Sequence, residues 1–212
     1  MPPFRLSLCL PLVLAAALAV PSSSPLAQFL GLGGGGGGAQ RVMEIDEQPG
    51  YVPRPEEEDL PLQFQRQIVP YRSTEPPGTI IVQTSERFLY LVQPGGRAIR
   101  YGIGVGRDGF QWQGLQKILR KEEWPDWTPP AEMIERQPYL PRFMAGGPGN
   151  PLGARALYLG QTVYRIHGTN RPDTIGTAVS SGCFRLVNAD VADLYDRVPV
   201  GTKVVIRQKP EL

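Results

Sequence analysis

The sequence predicts a mainly β domain, a strand-rich sandwich or barrel with one clear helix near its C-terminus and a long Pro/Trp/Gly-rich loop region through its middle. Three observations carry this. Short runs of β-branched and aromatic residues recur between Thr79 and Arg207, separated by turn residues. Only Asn188 to Val198 shows a long apolar repeat at helical spacing. The 25 Gly and 23 Pro among 212 residues require many turns and some unfolded chain.

The N-terminus reads as an export signal over residues 1–27. Arg5 is the positive n-region, Leu6 to Val20 is apolar and uncharged, and Pro21, the serines Ser22 to Ser24 and Ala27 resemble a cleavage region. The run is short for a spanning helix of ~20 residues, so no stable membrane insertion is expected after cleavage. An uncleaved anchor is the alternative, and it too implies export to the periplasm or cell envelope. Cys9 follows Leu8 inside the apolar run, which argues against lipidation.

Residues 28–76 read as a flexible tether. They hold the glycine run Gly33 to Gly38, the acidic cluster Glu56 to Asp59, and Pro49, Pro53, Pro55 and Pro61. Such chain buries too little apolar surface to offset its ordering entropy. A short strand around Gln67 to Val69 is expected to dock on the domain, which occupies residues 77–209.

Within the domain, Thr79 to Gln83, Phe88 to Val92 and Ala98 to Val105 form a β-meander, turning at Pro94, Gly95 and Gly96. Gly102, Gly104 and Gly106 lie inside a strand pattern and open no helix, so a nucleotide loop is a weak reading. Arg107 to Leu152 is a loop region with Trp124 and Trp127, either packed beneath it or forming a groove wall. Ala131 to Arg136 allows one short helix. Ala156 to Leu159 and Thr162 to Ile166 are strands. Val191, Leu194, Tyr195 and Val198 mark the buried face of the last helix, with Asn188 as its expected N-cap and Pro199 as its stop. Lys203 to Arg207 is the closing strand.

A formal charge of +2 and the absence of a basic block give no sign of nucleic-acid binding. One His and two Cys fall short of a metal-ligand set, and no cofactor is implied.

Cleavage after Ala27 would leave Cys183 as the sole cysteine, with no internal disulfide partner. An idle thiol in an oxidising compartment is a liability. Taken alone, Cys183 fits a buried small hydrophobe equally well, and His167 alone fits a satisfied strand-end histidine. Together they lie in one compact region beside glycines. A thiolate attacks, and an imidazole within reach removes its proton. Gly182 allows tight backbone geometry beside the sulfur, and nearby N–H groups offer an oxyanion site. Arg185, two residues on, faces the same way as Cys183 in an alternating chain. It either steadies the thiolate, binds a substrate carboxylate, or makes an ordinary ion pair.

His167-Gly168-Thr169-Asn170, then Ile175-Gly176, Ser180 to Leu186, Asp190, Leu194-Tyr195 and Gly201 to Val204 occur in an order that resembles the YkuD-type L,D-transpeptidase catalytic domain. Gly147 to Leu159 also resembles it. The resemblance implies a β-sandwich with Cys183 as nucleophile and His167 as base in a covered groove. It implies that a backbone carbonyl rather than an acid orients the histidine. Gly168, Ser181 and Gly182 are assigned to orienting or oxyanion roles, and Arg185, Tyr164 and Asn170 to substrate binding. The implied substrates are peptidoglycan stem peptides. D-Ala leaves, a thioester forms, and an amine of another stem or of an envelope protein accepts the acyl group. Two departures stand out. Ser181 replaces a histidine found in many members, and Phe110 to Leu115 replaces a common Thr-Pro-x-Gly segment. The alternatives are a sortase-like transpeptidase, whose His and Cys lie further apart, and a non-catalytic envelope-binding module.

Overall fold

A computed structural model of the protein describes residues 49–209. The expected export signal, Cys9 and residues 28–48 of the expected tether lie outside the described residues.

The meander is present as β2 (Ile80–Gln83), β3 (Phe88–Gln93) and β4 (Arg97–Gly102), each antiparallel to the next. A preceding strand, β1 (Gln67–Pro70), adds to the free edge of β4. After the short β5 (Val105–Gly106) comes β6 (Gly114–Glu123), and then helix α1 (Ala131–Arg136) in the loop region. β7 (Arg155–Leu159), β8 (Arg165–His167), β9 (Ala178–Ser180) and β10 (Phe184–Arg185) precede helix α2 (Asn188–Arg197) and β11 (Lys203–Arg207). The strand order is β1-β4-β3-β2-β11-β6-β7-β8-β10, with β5 and β9 paired separately.

The strand β6 connects two halves of this sheet. Its start pairs with β11 and its end with β7, with a register shift between Ile118 and Arg120. One apolar core unites Ile80, Val82, Leu89, Leu91, Ile99 and Tyr101 from one half with Leu157, Leu159, Ile166 and Phe184 from the other. Val191, Leu194 and Val198 bring α2 onto the same core, with Tyr195 packed against it. That is the helical face the sequence predicts.

Three expectations need correction. First, β6 was expected to be loop. Its segment Leu115 to Glu123 alternates poorly, buries only Ile118 fully and carries five charged residues. Pairing along both edges holds it in place. Second, Asn188 is the first helical residue rather than the cap. Val187 occupies the cap position, and Asn188 Oδ1 accepts the Ala154 N–H at 2.9 Å.

Third, residues 49–76 do not hang free. Gly50 N–H donates to the Gly149 carbonyl at 2.8 Å. Leu60 packs with Ile175 and Val187. Arg66 reaches Asp193 of α2 at 3.0 Å. Tyr71 stacks on Tyr90 at 4.4 Å, and with Val69 it covers the outer face formed by Ile81, Tyr90, Val92 and Ala98. Composition missed this because the segment is a strap, whose few apolar residues are buried by the domain rather than by each other. A chain starting at residue 71 should therefore be less stable than one starting at 49 by roughly 3 kcal/mol. Its thermal midpoint should fall by about 10 °C. Equal midpoints would show the strap to be dispensable.

Candidate active site

The register of two short strands builds the site. β8 and β10 run parallel, with His167 beside Arg185 and Ile166 beside Phe184. Ile166 and Phe184 are 0% and 1% exposed and fix the core-facing side. Side chains alternate along a strand, so His167, Arg165 and Arg185 share the opposite face, and Cys183 precedes Arg185 by two residues. A slip of one residue would exchange His167 with Ile166. Cys183, His167, Arg165 and Arg185 all line one pocket, with Val163, Tyr164, Ser180 and Ser181.

The loop region supplies the rest of the lining through Trp127, Pro130, Met133, Pro151 and Leu152. Trp127, Met133, Leu140 and Leu152 form their own small apolar cluster, which gives this wall a fixed shape. Trp127 is thus both packed beneath the loop and part of the groove. Trp124 is 42% exposed and plays neither part.

His167 is almost fully buried, and its Nδ1 lies 2.6 Å from the Gly168 carbonyl oxygen. A carbonyl only accepts, so Nδ1 carries the proton and Nε2 keeps the lone pair that a base needs. Burial, followed by the positive charges of Arg165 and Arg185, pushes the imidazole down to about 3, against opposing backbone hydrogen bonds at Gly168 and Leu152. The ring is therefore neutral at ordinary pH. A resting imidazolium–thiolate pair is disfavoured, and proton removal by neutral imidazole during attack is favoured.

Gly168 suits the orienting role. Its N–H is bonded to the Arg155 carbonyl at 2.9 Å, and its carbonyl holds His167. A Cβ here would sit 2.4 Å from Asn188 Oδ1 and 2.9 Å from the Ala154 backbone nitrogen, so a larger residue would displace its neighbours.

The loop before Cys183 is braced from within. Ser180 Oγ donates to the Cys183 carbonyl at 2.7 Å and accepts the Gly182 N–H at 3.2 Å. Gly182 has φ +107°, a conformation L side chains rarely adopt, and a Cβ there would meet Tyr164 at 2.6 Å. Cys183 is half-buried, with Sγ 3.9 Å from the Val163 carbonyl.

The remaining predicted residues divide. Ser181 and Tyr164 line the pocket. Arg185 does too and is only 3% exposed, so a surface ion pair does not describe it, while a structural one is compatible with its burial. Asn170, expected to bind substrate, is not among the lining residues. Its amide donates to the carbonyls of Tyr51 at 3.0 Å and Gly149 at 3.2 Å, bracing the strap against the loop after His167. Trp112, not singled out from the sequence, stacks on Tyr164 and bonds to the loop before Cys183. The departure at Phe110 to Leu115 was the available signal for it. Among the described residues, no group of three or more His, Cys, Asp or Glu could hold a metal, and no helix is long and apolar enough to cross a membrane.

The family model described as the L,D-transpeptidase catalytic domain, YkuD, matches residues 77–206. The probable L,D-transpeptidase ErfK/SrfK of Escherichia coli K12 is 41% identical over 140 residues, covering 62% of this chain and 44% of that protein. The chain thus spans less than half the length of the curated relatives it matches first. Among solved structures, the catalytic domain of the Enterococcus faecium L,D-transpeptidase is matched over 64% of this chain and 100% of its own. Its TM-score is 0.50 at 17% identity, which speaks to the fold alone. A Brucella melitensis protein described as a probable carnitine operon oxidoreductase is 48% identical, matched over 71% of this chain and 98% of its own. Its TM-score is 0.47.

Proposed function

The chain belongs to the L,D-transpeptidase catalytic domain family, and on that premise we propose that it is a cysteine-dependent acyltransferase of peptidoglycan stem peptides. The observation that carries this reading is the shared pocket of Cys183 and His167, with the histidine held neutral and its Nδ1 proton committed to Gly168.

Cys183 Sγ attacks the carbonyl between the third-position diamino acid and D-Ala, while His167 Nε2 takes the thiol proton. Negative charge collects on the carbonyl oxygen. The C–N bond then breaks, D-Ala leaves with the proton returned from His167, and a thioester remains on Cys183. An amine attacks the thioester, His167 takes its proton, and the released sulfur regains it. Arg185 and Arg165 put positive charge in the pocket wall, suited to a substrate carboxylate. Tyr164 and Ser181 contribute contact surface. The acceptor is another stem, giving a 3–3 cross-link, or an envelope protein. Export to the periplasm or cell envelope, the expectation from residues 1–27 of the sequence, fits a substrate that lies there. The family match disfavours the sortase-like alternative.

Incubation with purified tetrapeptide muropeptides, followed by mass spectrometry, tests the reading. Cross-linked products with loss of D-Ala are expected. Loss of D-Ala with water as the only acceptor would instead make the enzyme a carboxypeptidase, and an unchanged substrate would overturn the proposal.

A further inference from the structure

The loop after β5 reaches across to the peptide that carries the nucleophile. Arg107 N–H donates to the Ser180 carbonyl at 2.9 Å, and its guanidinium to the Val179 carbonyl at 3.2 Å, so the loop is fastened to β9. Phe110 N–H closes the turn onto the Arg107 carbonyl at 2.9 Å. The next residues deliver Trp112, whose Nε1–H donates to the Gly182 carbonyl at 2.9 Å. Its ring stacks on Tyr164, with centroids 4.5 Å apart and planes 17° apart, and packs on Phe184 at 5.6 Å. Trp112 is half-buried yet does not line the pocket.

The Gly182 carbonyl and the Cys183 N–H belong to one peptide unit. That unit is planar, and in its trans form the two groups point in opposite directions. Holding the carbonyl therefore fixes where the Cys183 N–H points. A donor on the carbonyl also polarises the amide and strengthens its N–H as a donor. The need for such an anchor is local. Gly182 sits at φ +107°, and glycine allows its peptide planes more rotation than any other residue. The Gly182 N–H is already committed to Ser180 Oγ, which leaves the following peptide as the one whose orientation Trp112 sets.

We propose that Trp112 is a positioning residue that aims the Cys183 N–H at the oxygen that becomes negatively charged when Cys183 is acylated. This rests on the acyl-transfer reading above. It assigns a purpose to the segment Phe110 to Leu115, where the sequence departs from the pattern common in its family. Trp112 touches no substrate and acts through the Gly182–Cys183 peptide.

The test compares two reactions of the same thiol in the full-length protein. Acylation by a carbapenem passes through a tetrahedral oxyanion. Alkylation by iodoacetamide displaces iodide and forms none. Trp112→Phe keeps an aromatic ring on Tyr164 and removes the N–H donor. Losing an oxyanion donor outright costs roughly 10²–10³ in rate, and misaiming one costs less. Acylation by Trp112→Phe should slow by about tenfold, alkylation should stay within about twofold, and the thermal midpoint should barely move, since one hydrogen bond is worth about 1 kcal/mol. Unchanged acylation would overturn the proposal. Equal slowing of both reactions would also overturn it, because Trp112 would then act on the thiol or on access to it. A wild-type protein that is alkylated but never acylated would overturn the acyl-transfer reading itself, and this inference with it.

Discussion

Cys183→Ala should abolish covalent capture of a carbapenem completely, with the fold intact. The β-lactam carbonyl is attacked by the sulfur, the ring C–N bond opens, and no fragment leaves. The intact wild-type protein should therefore gain the whole mass of the drug. Peptide mapping should place that mass on the segment Gly182 to Arg185. The prediction rests on the position of Cys183 at the pocket, half-exposed and two residues before the buried Arg185, with His167 in the same lining. Replacing a half-buried thiol by a methyl group removes little buried surface, so stability should change by less than about 1 kcal/mol. The variant is expected to unfold at nearly the wild-type temperature. An equal adduct on the variant would remove Cys183 from the chemistry, and a wild type that forms no adduct would favour a non-catalytic envelope-binding module.

His167→Gln should slow carbapenem acylation by roughly a hundredfold or more at neutral pH, the scale of a lost general base. Glutamine can keep the hydrogen bond to the Gly168 carbonyl but cannot take a proton. The pH profile separates this from simple disruption. In the wild type, burial and the neighbouring arginines hold the imidazole near 3. The base is thus already unprotonated throughout the range from pH 5 to pH 8. The wild-type rate should show no fall near pH 6.5, where an exposed histidine would become charged. The variant depends on the small fraction of thiolate present without help. Its rate should climb about tenfold per pH unit until the thiol titrates, near 8.5 for an unpaired cysteine. The two profiles should converge toward pH 10. A variant matching wild type across the range would exclude His167 as the base. A wild-type rate that drops on acidification through 6.5 would show the ring to be better solvated than its burial implies.

Much of this protein was legible before any tertiary contact was known. The meander of β2 to β4 is read from continuous apolar runs buried on both faces, while α2 and the closing strand β11 bury an apolar stripe at the spacing of their own secondary structure. Periodicity reports that directly. Cys183, His167 and Gly182 stood out as candidates because their chemistry is tied to residue type. A thiol, an imidazole and a left-handed backbone each have few substitutes. What the sequence left open depended on surfaces supplied from elsewhere in the chain. The charged strand β6 has one fully buried side chain and is held by β11 on one edge and β7 on the other. Its stabilisation lies in backbone pairing, which leaves no pattern in residue type. The strap from residue 49 to 70 looks like tether because its apolar residues are too sparse to pack together. Leu60 finds Ile175 and Val187, distant in sequence. The roles of Asn170 and Trp112 escaped the sequence for the same reason. A side-chain amide or an indole N–H can serve a ligand or a backbone carbonyl equally well. Only the tertiary structure decided that Asn170 braces Tyr51 and that Trp112 grips Gly182.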